Sequence, residues 1–298
     1  AKIYAAKGRP SDNPLIVHIA DWEAIRAIVS EVPEAAKRLA DAFWPGPLTM
    51  ILNKSDLVPY ATTGGLETVA VRMPVNPIAR ALIRAGGGYV AAPSANTSGR
   101  PSPTKAEHVA EDLNGKIDMI IDGGTVDIGL ESTIVDLTDG APTILRPGYI
   151  NQEMLTKVLG EVEMDRGLIA PESGVHPKAP GMKYRHYAPK ADLIIVEGEA
   201  EKVRRKINEL VQQQISEGKK VGVIGTDESL SYYKDGDVRS IGSRKDEITI
   251  AQHLFGLLRE FDESDISVIY SEAFETPQIG QAIMNRLIKA AGHQIIRV

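Results

Sequence analysis

Several segments of this sequence carry residue types suited to holding a phosphorylated ligand. In Lys7-Gly8-Arg9-Pro10-Ser11-Asp12-Asn13-Pro14, two cations flank a glycine that lets backbone approach a ligand. Arginine offers a fork of donors and lysine a point charge. The prolines stiffen the loop, Asn13 adds amide donors, and the apolar Leu15-Ile16-Val17 anchors it. Such a loop suits a polyphosphate; read alone it is equally an exposed turn. Ala92-Pro93-Ser94-Ala95-Asn96-Thr97-Ser98-Gly99 and the nearby Ser102 place small donors after a short apolar run. They could serve phosphate or ribose oxygens, and alone they read slightly better as a Ser/Thr turn. Ser132 and Thr133 lie where a loop enters a strand, and Arg146 ends another. Each of those, alone, reads as structural. Arg72 closes the apolar run Thr68–Arg72 and fits a carboxylate partner, or else snorkels to water. His18 closes Leu-Ile-Val-His-Ile, a setting more often occupied by a satisfied core histidine.

The elements that must position these residues follow from periodicity. Strands are expected at 48–52, 68–72, 89–92, 117–121, 133–137 and 143–145. Helices are expected at 21–31, with Asp21 as N-cap, and at 33–43, 76–85, 103–113 and 151–159. The lack of strict strand–helix alternation favours a mixed, twisted α/β sheet. Residues 165–190 hold four Pro and three Gly without periodicity and read as a functional linker. Beyond it strands and helices alternate. Helix 247–261 shows Ile250, Leu254, Leu257, Leu258 and Phe261 at helical spacing, which predicts a smaller Rossmann-like parallel α/β domain. The expected domains are therefore 1–164 and 191–298, with the linker between.

Composition narrows the chemistry. The 298 residues include 34 Lys plus Arg, 40 Asp plus Glu and no Cys. Thiol nucleophiles, zinc–thiolate centres and disulfides are excluded. A net charge of −6 argues against a general nucleic-acid coat. No apolar run approaches the roughly 18 residues of a membrane span. No P-loop, Gly-x-Gly-x-x-Gly, His-Glu-x-x-His or Gly-x-Ser-x-Gly occurs. Cations among small hydroxyl donors fit chemistry by positioning and charge neutralisation, as in attack on a nucleotide phosphate.

Taken together, Lys-Gly-Arg-Pro-x-x-Asn-Pro-Leu-Ile-Val-His, Phe-Trp-Pro-Gly-Pro-Leu-Thr, Val-Arg-Met-Pro, Ala-Pro-Ser-Ala-Asn-x-Ser-Gly, Glu-Ser-Thr-Ile-Val-Asp and Leu-Arg-Pro-Gly, in that order, resemble the YrdC-like threonylcarbamoyl-AMP synthases. Pro-Gly-Met-Lys-Tyr-Arg-His-Tyr-Ala-Pro and the further α/β domain resemble the long, two-domain form. The resemblance implies a nucleotidyltransferase. Carbamate formed from L-threonine and bicarbonate-derived CO2 attacks the α-phosphate of ATP, giving threonylcarbamoyl-AMP and pyrophosphate. It implies Mg2+ with ATP, a tRNA-modifying threonylcarbamoyl-transfer complex as partner, tRNA itself as a further partner, no membrane, and a cytoplasmic setting. It assigns Lys7 and Arg9 to catalysis. Arg9, Asn13, Thr68, Ser94, Ser102, Arg146 and, from the linker, His186 or Tyr187 are assigned to ATP. His18, Arg72, the Ala92 backbone and Ser132 are assigned to threonine, and no residue to a metal. It also leads one to expect a strand and a Pro-Thr-x-Thr-x-x-Gly-Leu loop ahead of Lys7. The alternative readings are a non-catalytic RNA-binding module and a carbamoyl-transfer domain with another donor.

Overall fold

The computed structural model describes residues 2–165, 168, 187–275 and 277–298. Contacts divide the chain into two units. The first comprises Ala1–Ala95, Gly115–Gly123 and Glu131–Lys183, and the second Asn96–Asn114, Gly124–Leu130 and Tyr184–Val298. The second unit thus takes in two segments from within the stretch 1–164 that the sequence reads as one domain. For Asn96–Asn114 the reason is electrostatic and centres on Asp112; Gly124–Leu130 lies against Ala251 and Gln252, and Gln252 donates to the Asp127 carbonyl.

In the first unit, β1 (Ile16–Ile19), β2 (Leu48–Asn53), β3 (Thr68–Arg72), β4 (Tyr89–Ala92), β5 (Thr133–Asp136), β6 (Thr143–Arg146) and β7 (Glu163–Met164) form one mixed sheet. Its order is β4-β1-β3-β2-β5-β6-β7. Alternation along each strand sorts the side chains into two faces. Val17, Ile19, Met50, Leu52, Val69, Val71, Val135 and Ile144 join a core that includes Ala36 and Leu39 of the Glu34–Phe43 helix and Leu155 of the Gln152–Leu159 helix. Ile16, Ile51, Ala70, Ile134 and Leu145 form a smaller apolar cluster apart from that core. Burying a side chain of this size is worth about 1.5–3 kcal/mol, so the two faces are firmly assigned.

Several sequence expectations need correction. Ile117–Ile121 forms no strand. It pairs with neither sheet edge, and Met119 is 75% exposed, so an apolar run without a ladder partner stays irregular. The helix expected at 21–31 is a 3-10 turn, Trp22–Ala24, followed by the short Ile25–Ile28 helix. Asp21 makes no side-chain cap there. Its carboxylate instead accepts from Arg84 Nε and Nη2, at 2.9 and 2.6 Å. The Lys2–Lys7 helix and the short β7 carry no periodic signal and were not expected.

The second unit holds β8 (Asp192–Glu197), β9 (Val221–Gly225), β10 (Asp237–Ser240), β11 (Val268–Glu272) and β12 (Ile295–Arg297). All pair in parallel, in the order β10-β9-β11-β8-β12. Helices Ala200–Ser216, Glu247–Asp262 and Gly280–Ala290 connect them. Here the expected parallel α/β architecture is found, and the Glu247–Asp262 helix matches the 247–261 read from the sequence to within one residue.

What binds Asn96–Asn114 to this unit is a buried ionic network. Asp112 has a side chain with no exposed surface, and Arg259 in the Glu247–Asp262 helix is 2% exposed. Arg259 Nη2 lies 2.9 Å from Asp112 Oδ2 and also donates to the Pro101 carbonyl at 2.6 Å. Asp112 further accepts from the Thr97 amide at 3.0 Å and from Arg100. Burial alone would raise the Asp112 pKa. Hydrogen bonds from Arg259 and the Thr97 amide, with the charges of Arg259 and Arg100, outweigh it and hold the carboxyl below its ordinary value. The Ala188 amide donates to the Gly99 carbonyl at 2.9 Å, so the chain after the linker ties to the same loop.

Candidate functional site

The face of the first sheet away from its main core carries a polar row. Strand register aligns His18 with Arg72, Arg72 with Thr49, Thr49 with Ile134, and Ile134 with Arg146. Aligned residues on neighbouring strands share a face. Register shifts between Ile134 and Val135, an irregularity of the kind that re-aims a side chain. Arg146 thereby reaches back to Ser132. Its Nε donates to the Ser132 carbonyl at 3.0 Å and its Nη2 to Ser132 Oγ at 3.1 Å. Ser132 Oγ and Thr49 Oγ1 lie 2.7 Å apart in a hydrogen bond. Thr49 closes the Phe-Trp-Pro-Gly-Pro-Leu-Thr motif, but the sequence reading gives it no role. Its signal is a hydroxyl interrupting the apolar strand Leu48–Leu52 on the face opposite the core.

Arg72 is held by the turn before β2. Its Nε donates to the Gly46 carbonyl at 3.2 Å, and the Gly46 amide donates to the Met73 carbonyl at 2.9 Å. A Cβ on Gly46 would stand 2.3 Å from the Phe43 carbonyl oxygen, so no other residue fits. The Phe-Trp-Pro-Gly-Pro segment therefore serves to place Arg72. Burial, with the nearby charge of Arg146, pulls the Arg72 pKa down to about 10. It remains a cation at neutral pH. A guanidinium close enough to another to have its pKa lowered by it favours an anion beside the pair.

His18 Nδ1 donates to the Ile16 carbonyl at 3.1 Å. Burial first, and then the charge of Arg72, lower its pKa to about 4, so the ring is neutral at pH 7. Here the sign matters. Between pH 6.5 and 4 the unfolded chain takes up a proton that the folded chain refuses, so stability falls as pH falls across that window. The thermal midpoint of the wild-type chain is expected to drop on acidification over this range. In His18→Gln the drop should be smaller; an equal drop would remove His18 as its source.

The other end of the same strands holds the cationic loop. Lys7 is buried, and its Nζ donates to the Ser94 carbonyl at 2.5 Å. This joins the Lys7–Pro14 loop to the segment after β4. Arg9 Nη2 donates to the Pro14 carbonyl at 3.0 Å, and the Leu15 amide donates to the Thr62 carbonyl at 2.9 Å. Gly64 has φ +64, and a Cβ there would stand 2.7 Å from the Asp12 carbonyl oxygen, so the loop lies directly on this turn. Asn13 is buried, Ser94 is exposed, and Thr68 is half-buried at the start of β3. Thr68 and Arg72 lie four residues apart on one strand face, about 13 Å. Ala92 pairs with Ile16, between the two ends.

Thus Lys7, Arg9, Asn13, Thr68 and Ser94 gather at one end of the sheet face, and His18, Arg72, Ser132 and Arg146 at the other. Ser102 is buried and belongs to the second unit. So does Tyr187, whose ring is buried 4.9 Å from that of Phe255. His186 lies outside the described residues. Arg146 sits in a tightly backed turn: a Cβ on Gly148 would stand 2.6 Å from the Thr133 amide nitrogen and 2.9 Å from the Glu131 carbonyl oxygen. Gly148→Ala is expected to cost about 1–3 kcal/mol of stability, read as a lowered denaturation midpoint. An unchanged midpoint would show that the turn yields.

Comparison with known proteins decides the family. A family model described as "Telomere recombination", Sua5/YciO/YrdC, matches residues 1–148. A second, "Threonylcarbamoyl-AMP synthase, C-terminal domain", matches residues 150–292. The threonylcarbamoyl-AMP synthase of Pyrococcus abyssi is 53% identical over 100% of this chain and 85% of its own length. That of Bacillus subtilis is 50% identical over 99% and 84%.

The chain belongs to the threonylcarbamoyl-AMP synthase family.

A crystal structure of P. abyssi Sua5 complexed with L-threonine matches with a TM-score of 0.94 at 52% identity, covering 100% of this chain and 85% of that one. Members of this synthase family supply the frame within which the two ends of the sheet face are read.

Proposed function

We propose that this chain makes threonylcarbamoyl-AMP and pyrophosphate from L-threonine, bicarbonate and ATP, for the threonylcarbamoyladenosine modification of tRNA. The observation that carries the reading is the pair of guanidiniums, half-buried Arg72 level with Thr49 and buried Arg146 bonded to Ser132, close enough for the charge of Arg146 to act on Arg72. Arg72 takes the threonine carboxylate, and Ser132 and His18 shape that end. The Ala92 backbone edges the pocket. Arg146 takes the α-phosphate, next to where the carbamate oxygen must attack. Lys7 and Arg9 neutralise the outgoing charge of the triphosphate, and Asn13, Thr68 and Ser94 hold the nucleotide at the far end. Chemistry of this kind needs no protein nucleophile: it works by alignment and by cations aimed at developing charge.

Mg2+ is assigned to the triphosphate, since it prefers phosphate oxygens and keeps part of its water. The protein groups gathered here are cationic or neutral, and so suit the phosphates rather than the metal. The resemblance assigns Ser102, His186 and Tyr187 to ATP as well; the proposal requires only the residues of the sheet face. A transfer complex and tRNA are the proposed downstream partners, in the cytoplasm. Among the described residues no helix is long and apolar enough to cross a membrane.

The test is pyrophosphate release by the full chain. Release should require ATP, L-threonine and bicarbonate together. Release that ignores threonine would overturn the synthase reading. Release that ignores bicarbonate would favour a different carbamoyl donor. Salt-sensitive tRNA binding without any ATP binding would favour the RNA-binding module.

A further inference from the structure

The second unit contains a cavity of about 580 Å³ that the synthase chemistry leaves unused. That volume is typical of small-molecule sites. Its position follows from the topology. Val196, Val221, Val223, Val268 and Tyr270 pack with Val203, Ile207 and Val211 of the Ala200–Ser216 helix, which therefore covers one face of the parallel sheet. A Cβ on Gly222 would stand 2.7 Å from the Phe261 ring, so the Glu247–Asp262 helix covers the other face. The Gly280–Ala290 helix packs on that helix and on β8. The chain leaving β8 thus turns to one face and the chain leaving β11 to the opposite face. Yet β8 and β11 are neighbours. Diverging connections open a crevice at the carboxyl ends of adjacent strands, which is where open α/β sheets bind ligands. The cavity lies there, walled by the turns after β8, β9 and β11.

Its lining sets the ligand's charge. Four carboxylates, Glu197, Glu228, Glu272 and Glu275, line it with two guanidiniums, Arg204 and Arg244, and Glu197 also pairs with Arg297 at 3.3 Å. Glu272 is buried and accepts from the Tyr233 hydroxyl and from Arg244 Nη2, each at 2.6 Å. That pair offsets one charge of each sign. Glu228 is fixed by the Ser243 hydroxyl at 2.6 Å and the Arg244 amide at 3.2 Å. Arg204 is fixed over the Tyr232 ring at 4.0 Å and by the Ala200 carbonyl at 3.1 Å. The cavity is net negative, with Glu228, Arg204 and the Glu272–Arg244 pair held in place around it. It suits protonated amines and repels nucleotides and phosphate.

We propose that this cavity binds a small organic cation carrying protonated amines, seated between Glu228 and Glu275, with Arg204 at the helix start available to any carboxylate the ligand bears. The site is separate from the sheet face of the first unit, so its failure would leave the synthase reading intact.

The test is hydrogen–deuterium exchange on the full chain with spermidine, L-lysine or inorganic phosphate. Spermidine or L-lysine should protect the segments 196–204 and 271–275, and phosphate should not. Glu228→Gln/Glu275→Gln should weaken amine binding by about tenfold or more. Ala200→Phe, which adds a bulky ring to the exposed lining and removes no charge, should abolish it while the thermal midpoint stays unchanged. Protection by neither amine, protection by phosphate, or amine protection that survives in a folded Ala200→Phe chain would each overturn the proposal.

Discussion

An Arg146→Lys chain is expected to lose about a hundredfold or more in threonine-dependent pyrophosphate release. Lysine keeps the positive charge but not the planar fork that makes two bonds to Ser132 while facing the site. Arg146→Ala should lose more, because the charge goes too. Stability should behave differently. Removing one of two cations that repel each other relieves strain that the fold carries, and this offsets part of the lost hydrogen bonding. The thermal midpoint should therefore move little while turnover collapses, the pattern expected where a site is held in an arrangement that function needs and folding does not. In Arg146→Ala the Arg72 pKa should rise above about 10, because the Arg146 charge, after burial, is what holds it down. A midpoint that falls in step with activity would instead make Arg146 a structural residue.

The second large effect concerns the second unit. Arg259→Met should be tolerated better than Asp112→Ala. Asp112→Ala leaves Arg259, 2% exposed, with the exposed Glu111 carboxylate at 3.2 Å in place of its buried partner, and breaking a buried pair from one side costs about 3–5 kcal/mol. Arg259→Met leaves Asp112 with Arg100 and the Thr97 amide. The double variant Asp112→Leu/Arg259→Met should recover much of the loss, since no buried charge is then left alone on the Arg259 side. Denaturation midpoints of the two single variants and the double variant read this directly. Exchange at the Thr97 amide, which donates to Asp112, should accelerate in Asp112→Ala. Additive losses in the double variant would mean that the two residues do not act as a pair.

Legibility in the sequence followed the range of the interactions. β3 and the Glu247–Asp262 helix were readable because each buries residues at its own period: Val69 and Val71 on one strand face, Ile250, Leu254, Leu258 and Phe261 along one helix stripe. The motif residues were readable by type. Their grouping was not, because it depends on the sheet order, which sets β1 beside β3 and β2 beside β5. Thr49 looked like an ordinary strand residue until the register placed it level with Arg72. Ile117–Ile121 misled in the other direction: its apolar residues gave a strand signal that no neighbouring strand completes. Asp112 and Arg259 were silent because nothing local marks a charge that will be buried by a partner so far along the chain.

That distance has a consequence for how the protein is made. Asp112 and Arg259 are separated by 147 residues. At about 5–20 residues per second, the ribosome releases Asn96–Asn114 roughly seven to thirty seconds before the helix that must receive it. Through that interval Asp112 stays hydrated and the segment has no partner helix to dock on. The amino-terminal sheet can assemble meanwhile, but the segment that follows Ser94 acquires its buried anchor only near the end of synthesis. A nascent chain stalled before Glu247 should accordingly be cut by protease within Asn96–Asn114, whereas the released full chain should resist cleavage there.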